Sequence, residues 1–222
     1  MSLEDKIKEQ YRNRDEKTHL YNSSSSYVLF TEEERNLKIK EILRNNFNSK
    51  DFSQLTVLEV GAGHGNNHKV FVEAGIKLQN IEFNELLPER IAHLKHHFPS
   101  NFVYEGDISN INISKKYDVV FQSTVFSSVL DDSARKKIAQ TMLALLNENG
   151  IILWYDFIFN NPNNKDVKKV SIDEIKTLFP QCEFSFQKVT LAPPIGRRVG
   201  KFYNLFNLPF LRSHILAVIK NK

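Results

Sequence analysis

Apolar positions along this chain come in two patterns. Short continuous runs such as Thr56–Glu59, Tyr117–Gln122 and Ile151–Asp156 are bounded by turn-forming residues and predict buried strands. Longer stretches with apolar positions every three or four residues predict helices. Read this way, the N-terminal third is helical over Leu3–Arg12 and Thr31–Asn46, with Thr31 as a cap and Glu34 three residues on. The strand Thr56–Glu59 then runs into Gly61–Gly65, and a helix from Asn66 to Glu73 ends near Gly75. Strands and helices alternate from there: strand Leu78–Asn84, helix Pro88–His97, strand Asn101–Tyr104, strand Tyr117–Gln122, helix Asp132–Leu146 closed by Gly150, and strand Ile151–Asp156. A short helix, Ser171–Phe179, has Ser171 and Glu174 in capping-box spacing, and Glu183–Leu191 and His214–Ile219 are late strands. The alternation implies an α/β fold, a mostly parallel Rossmann-like sheet with helices on both faces. Such sheets bind ligands beyond the carboxyl ends of their strands, near the switch point.

Composition narrows the class. The 222 residues, 41% hydrophobic and 25% charged, suit one domain over 1–222. Within it, 1–50 reads as an N-terminal helical lid and 192–212 as an insertion between the last two strands. No apolar run approaches the ~18 residues of a membrane span. The segment MSLEDKIKEQYRNRDEK is charged throughout, unlike a signal peptide. Cys182 has no partner for a disulfide and reads as a small buried thiol. The expectation is a cytoplasmic location. Net charge is only +4, but no Asp or Glu follows Glu183, while Lys188, Arg197, Arg198, Lys201, Arg212, Lys220 and Lys222 do. That asymmetry suits an anionic partner, or simply a solvated basic face.

The segment Val57-Leu58-Glu59-Val60-Gly61-Ala62-Gly63-His64-Gly65-Asn66 takes an apolar strand into a glycine turn that opens a helix. Glycines let the backbone turn tightly and approach a ligand without a Cβ between them. Asn66 stands where a dinucleotide fingerprint has its last glycine, which disfavours NAD. Glu59 points the same way, since a carboxylate repels pyrophosphate but attracts a sulfonium and an ammonium group. Glu85 lies 20 residues after Gly65, at the end of the next strand, where a carboxylate can accept both ribose hydroxyls. Asp107 follows the third strand and is placed for an adenine amino group.

Together, Val57–Gly65, Glu85-Leu86-Leu87-Pro88-Glu89-Arg90-Ile91, Gly106-Asp107-Ile108 and Asp118-Val119-Val120-Phe121-Gln122 resemble the successive motifs of class I S-adenosylmethionine (SAM)-dependent methyltransferases, over roughly residues 55–156. The resemblance implies seven strands with the last antiparallel. It implies Glu59, Gly61, Ala62 and Gly63 around the methionine portion of SAM, Glu85 with Leu86 at the ribose, Asp107 with Ile108 at the adenine, and Gln122 beside the methyl group. A narrower resemblance, to small methyltransferases of bacterial surface-polysaccharide biosynthesis, rests on Leu153–Phe157, Asn160-Asn161-Pro162, Leu191–Pro194 with Arg197-Arg198, Leu208–Arg212 and the Tyr11–Tyr21 segment. Many of those relatives carry a histidine pair after the fourth strand, whereas this chain has Phe126-Ser127-Ser128. The Tyr11, Arg14 and Tyr21 segment is expected to fold over the cofactor.

Methyl transfer is a direct displacement, so holding the acceptor in line supplies much of the rate, and a hydroxyl acceptor also calls for a base. Asp156, at the end of the fifth strand, is the candidate base, or else the anchor of a loop. Tyr155, Asn160 and Asn161 are candidates for the acceptor site. Arg197 and Arg198 suit a phosphate, and with Lys201 and the aromatics of 197–212 they also suit a membrane surface. The expected acceptor is therefore small or lipid-linked, a sugar hydroxyl on a substrate that bears a phosphate. Other small metabolites, RNA, a non-catalytic SAM-binding module and a nicotinamide oxidoreductase are the alternatives. His64/His68 and His93/His97 have helical metal-ligand spacing but lack the glutamate of a zinc-protease motif, so no metal is expected. No binding motif for nucleic acid accompanies the pI near 9.

Overall fold

A computed structural model describes residues 7–9, 26–160 and 166–222. Its sheet has seven strands: β1 (Val57–Val60), β2 (Ile81–Glu85), β3 (Val103–Glu105), β4 (Tyr117–Ser123), β5 (Leu146–Phe157), β6 (Cys182–Leu191) and β7 (Arg212–Asn221). Their order is β3-β2-β1-β4-β5-β7-β6. β1 to β5 pair in parallel, and β7 runs antiparallel to both β5 and β6. The chain works outward from β1 to β3, then returns to place β4 on the other side of β1. That makes the β1/β4 boundary the switch point.

The central strands are apolar runs because both of their faces are covered. Helices α1 (Ser26–Asn46), α2 (His68–Glu73) and α3 (Pro88–His97) cover one face. There Ile39, Leu43, Phe71 and Leu94 pack with Val57, Phe121, Leu153 and Leu216. Helices α4 (Asp132–Ala144) and α5 (Ile172–Leu178) cover the other, where Ile138, Met142 and Ile175 pack with Leu58, Val120 and Trp154. β3 and β4 are joined by a 3₁₀ turn at Ile108–Asn110.

Three local expectations are revised. α1 is already helical over Ser26–Asn46, so Thr31 lies inside it and caps nothing, with Oγ1 donating to the Val28 carbonyl. α4 ends at Ala144. Asn149, not Gly150, takes the left-handed conformation (φ 63°), while Gly150 lies in β5, where an added Cβ would sit 2.9 Å from the Tyr117 carbonyl oxygen. Ser171 caps α5 by accepting from Glu174 N, but the Glu174 side chain pairs with buried Arg135 instead of completing the box.

The 192–212 insertion folds as α6 (Pro193–Val199), a 3₁₀ turn, α7 (Tyr203–Phe206) and a second 3₁₀ turn. It docks on the start of α1 through a third small core of Tyr27, Leu191 and Tyr203 with Phe30, Ile195, Val199 and Leu211. Tyr27 Oη donates to the Leu191 carbonyl at 2.9 Å. Gly196 makes room for that ring, since a Cβ there would fall 2.2 Å from Tyr27 Cε2. Glu34 Oε2 accepts from Tyr203 Oη and Thr190 N, tying helix, insertion and sheet together.

Candidate cofactor and acceptor site

β1 delivers its chain into a turn in which Gly61, Gly63 and Gly65 have φ of 63°, 60° and 75°. Side chains other than glycine adopt this region only with strain. At Gly61 and Gly65 space is also short. A Cβ would lie 2.5 Å from Val125 Cγ2 at the first and 2.7 Å from Phe98 Cε2 at the second. Ala62 N donates to the Asn84 carbonyl, pinning the turn to the end of β2.

Three carboxylates lie along the carboxyl edge. Glu59 is buried, with Oε1 accepting from Asn67 Nδ2 at 2.7 Å and Oε2 without a partner. Burial pushes its carboxyl up to about 7, opposed by Asn67 and Arg35. A buried carboxylate oxygen with no donor is costly unless a cation or donor completes it. Glu85 Oε2 accepts from Gly63 N at 2.6 Å, and Oε1 accepts from Leu86 N and Leu87 N. It therefore braces the glycine turn against the start of α3, and Oε2, with one donor, keeps a further lone pair while Oε1 has both of its own engaged. Asp107 caps the 3₁₀ turn by accepting from Ser109 N, Ser109 Oγ and Asn110 Nδ2. Ile108 is buried beneath this turn and Leu86 is half-buried. Gln122 is fully buried, and its amide is spent on the backbone, accepting from Val125 N and donating to the Tyr155 carbonyl.

Strand alternation sends Tyr155 and Asp156 to opposite faces. Tyr155 lies on the α1 side. Its hydroxyl bonds Thr190 Oγ1 at 3.0 Å, its ring stacks on His214 at 5.0 Å, and the Arg35 guanidinium sits 5.4 Å from its centroid. Two threonines with positive φ hold it: Thr124 (57°) donates N–H to its carbonyl, and Thr190 (64°) bonds its hydroxyl. A β-branched residue in that region is strained, and such strain concentrates at functional sites. His214 Nδ1 bonds Ser213 Oγ at 3.0 Å, and burial with Arg35 nearby pushes its imidazole down to about 4, so it is neutral at pH 7.

Asp156 is on the α4 side, fully buried. Oδ2 accepts from Ser127 N and Oδ1 from Phe157 N, and burial pushes its carboxyl up to about 7. Asn160 Oδ1 accepts from Lys169 N, closing the base of its loop. Arg197 and Arg198 are exposed on α6. Tyr11, Arg14, Tyr21 and Asn161 lie outside the described residues. His64 lies in the glycine turn and packs edge-on against His93, which removes the helical His64/His68 pair. Among the described residues no group of three or more His, Cys, Asp or Glu is placed to hold a metal ion. Arg35, Thr124, Thr190 and His214 carried no sequence signal, because each gains its meaning only from partners distant in the chain.

A Rossmann-like sheet with a seventh antiparallel strand, a glycine turn and acids along its carboxyl edge defines the class of fold to which nucleoside-binding transferases belong. The family profile described as "Methyltransferase domain" matches residues 30–187, and the chain belongs to that family. Among solved structures, an S-adenosylmethionine-dependent methyltransferase from Clostridium acetobutylicum ATCC 824 superposes with a TM-score of 0.61 at 14% identity, covering 93% of this chain and 98% of that one. An amino pentose methyltransferase from Micromonospora echinaspora gives 0.60 at 12% identity, covering 93% and 96%. A sugar N-methyltransferase from Streptoalloteichus sp ATCC 53650 gives 0.60 at 10% identity, covering 84% and 87%. No curated protein sequence matches significantly. The chain thus has the fold of SAM-dependent methyltransferases.

Proposed function

We propose that this protein transfers the methyl group of SAM to a small or lipid-linked sugar, at a hydroxyl, in the making of a surface polysaccharide. The observation that carries the donor is the buried Glu59 oxygen without a partner, beside a turn that only glycine fits. SAM supplies an electrophilic methyl on a sulfonium. Glu59 meets its ammonium group and Arg35 its carboxylate, with the backbone of Gly61, Ala62 and Gly63 alongside. Glu85 accepts from the ribose. Asp107 accepts from the adenine amino group between Leu86 and Ile108, and Gln122 shapes the turn behind the reacting carbon. Tyr21 belongs to the segment proposed to close over the donor.

The acceptor lies on the Tyr155 side, between α1 and the insertion, where two strained threonines hold the wall. Asn160 stands at its rim, and Arg197 and Arg198 meet an anionic group on the acceptor. Asp156, on the other face, positions the 124–128 loop through Ser127, and neutral His214 takes the proton of the hydroxyl. The sugar assignment is supported by this arrangement and by the kind of transferase that shares the fold. An amino sugar is the second reading, favoured by two similar structures that are an amino pentose and a sugar N-methyltransferase.

Calorimetric titration tests the donor. SAM and S-adenosylhomocysteine are expected to bind and NADH not to, and Glu85→Ala is expected to weaken SAM by about 2–3 kcal/mol through the loss of charge-assisted bonds. Binding of NADH alone would discard every role proposed here.

A further inference from the structure

The insertion turns its apolar side outward. Phe202, Leu205, Phe206, Leu208 and Phe210 are 55%, 72%, 42%, 44% and 73% exposed. The first three lie at i, i+3 and i+4 across the junction of the 3₁₀ turn and α7, while Tyr203 between them is fully buried. The segment is also fixed. Tyr203 Oη donates to Glu34 and accepts from Leu191 N, and Arg212 grips Asn207 through its side chain and its carbonyl. A rigid patch of large apolar side chains held in water marks a binding surface.

Its charge names the partner. Lys201 Nζ sits 5.5 Å from the Phe202 ring centroid, Arg197 and Arg198 precede it, and no Asp or Glu follows Glu183. A second copy pairing about a twofold axis would bring these cations against their own images. An anionic bilayer instead accepts aromatic and leucine side chains at its interface and cations at its phosphates. We propose that residues 201–210 dock the protein on the surface of an anionic membrane. Leu205 and Phe210 enter the interface, and Lys201 lies at the headgroups. Because α1 and the insertion share one core, docking would bring the proposed acceptor site close to the lipid. The docking surface itself does not rest on the acceptor reading.

Flotation of the full-length protein with vesicles tests this. The wild type is expected to float with vesicles containing phosphatidylglycerol, to stay behind with phosphatidylcholine alone, and to detach as salt is raised. Leu205→Ser/Phe210→Ser is expected to weaken vesicle affinity at least about a hundredfold. Lys201→Glu should weaken it about tenfold. Unchanged SAM affinity in both variants, by calorimetry, shows an intact fold and separates this result from failure of the methyltransferase reading. A wild type that stays behind with phosphatidylglycerol vesicles overturns the proposal. So does a double variant that floats like the wild type, or a wild-type dimer in gel filtration that the double variant converts to monomer without any flotation.

Discussion

Tyr155 and Asp156 are adjacent in sequence and serve opposite sides of the sheet. Asp156 meets its two donors, Ser127 N and Phe157 N, on the side away from α1. Tyr155 is surrounded by Arg35, Thr190 and His214. A proton acceptor must reach the hydroxyl it deprotonates, so an acceptor on the proposed Tyr155 side would meet the neutral imidazole of His214, and one on the other face Asp156. With a sugar acceptor that turns over, His214→Asn is expected to lower kcat about 10²–10⁴-fold while SAM affinity holds. Asp156→Asn is expected to act mainly through KM and stability, by loosening the 124–128 loop. Unchanged kcat in His214→Asn, with a large fall in Asp156→Asn, would return the base to Asp156. The glycine turn and the acids Glu59, Glu85 and Asp107 were legible because strand-turn-helix chemistry is local. His214 was not, since its neighbours come from β5 and α1.

Elements were legible where their signals are local as well. α3 runs over Pro88–His97 as its proline start and basic last turn suggest. Thr31 and Glu34 imitate a capping box although both lie inside α1, and this end of the helix is held against the fold by a contact that Tyr27 makes far along the chain. That contact is Gly196, and it can be tested. Gly196→Ala puts a Cβ into the Tyr27 ring, which must move and weaken its bond to the Leu191 carbonyl. The cost expected is about 2 kcal/mol, a fall of roughly 4–8 °C in melting temperature. In a Tyr27→Ala background the same substitution should cost little, because the clash is gone. Equal costs in both backgrounds would show that the two residues do not press on each other.

At the scale of the whole molecule the layered sheet was legible from alternation alone. The electrostatic consequence of folding was not, since it depends on which ionisable groups the layers bury. Glu59 and Asp156 are both pushed up to about 7, so folding holds a proton on each while the unfolded chain releases it above about 4. The stability they lend is complete at low pH and is lost as pH rises toward 7. His214, pushed down to about 4, works in the other direction: the unfolded chain takes up a proton below about 6.5 and the folded one does not. Near pH 5.5 the folded protein therefore holds two protons on these groups against one in the unfolded chain. Stability is expected to fall with rising pH by about 1.4 kcal/mol per unit. Thermal melts from pH 5 to 6.5 read the slope. SAM should reverse part of it if its ammonium group is the missing partner of Glu59, because the cation favours the ionised carboxylate and its affinity then rises with pH. Glu59→Gln should flatten that rise. A SAM affinity equally steep in pH with glutamine at this position would remove Glu59 from contact with the donor.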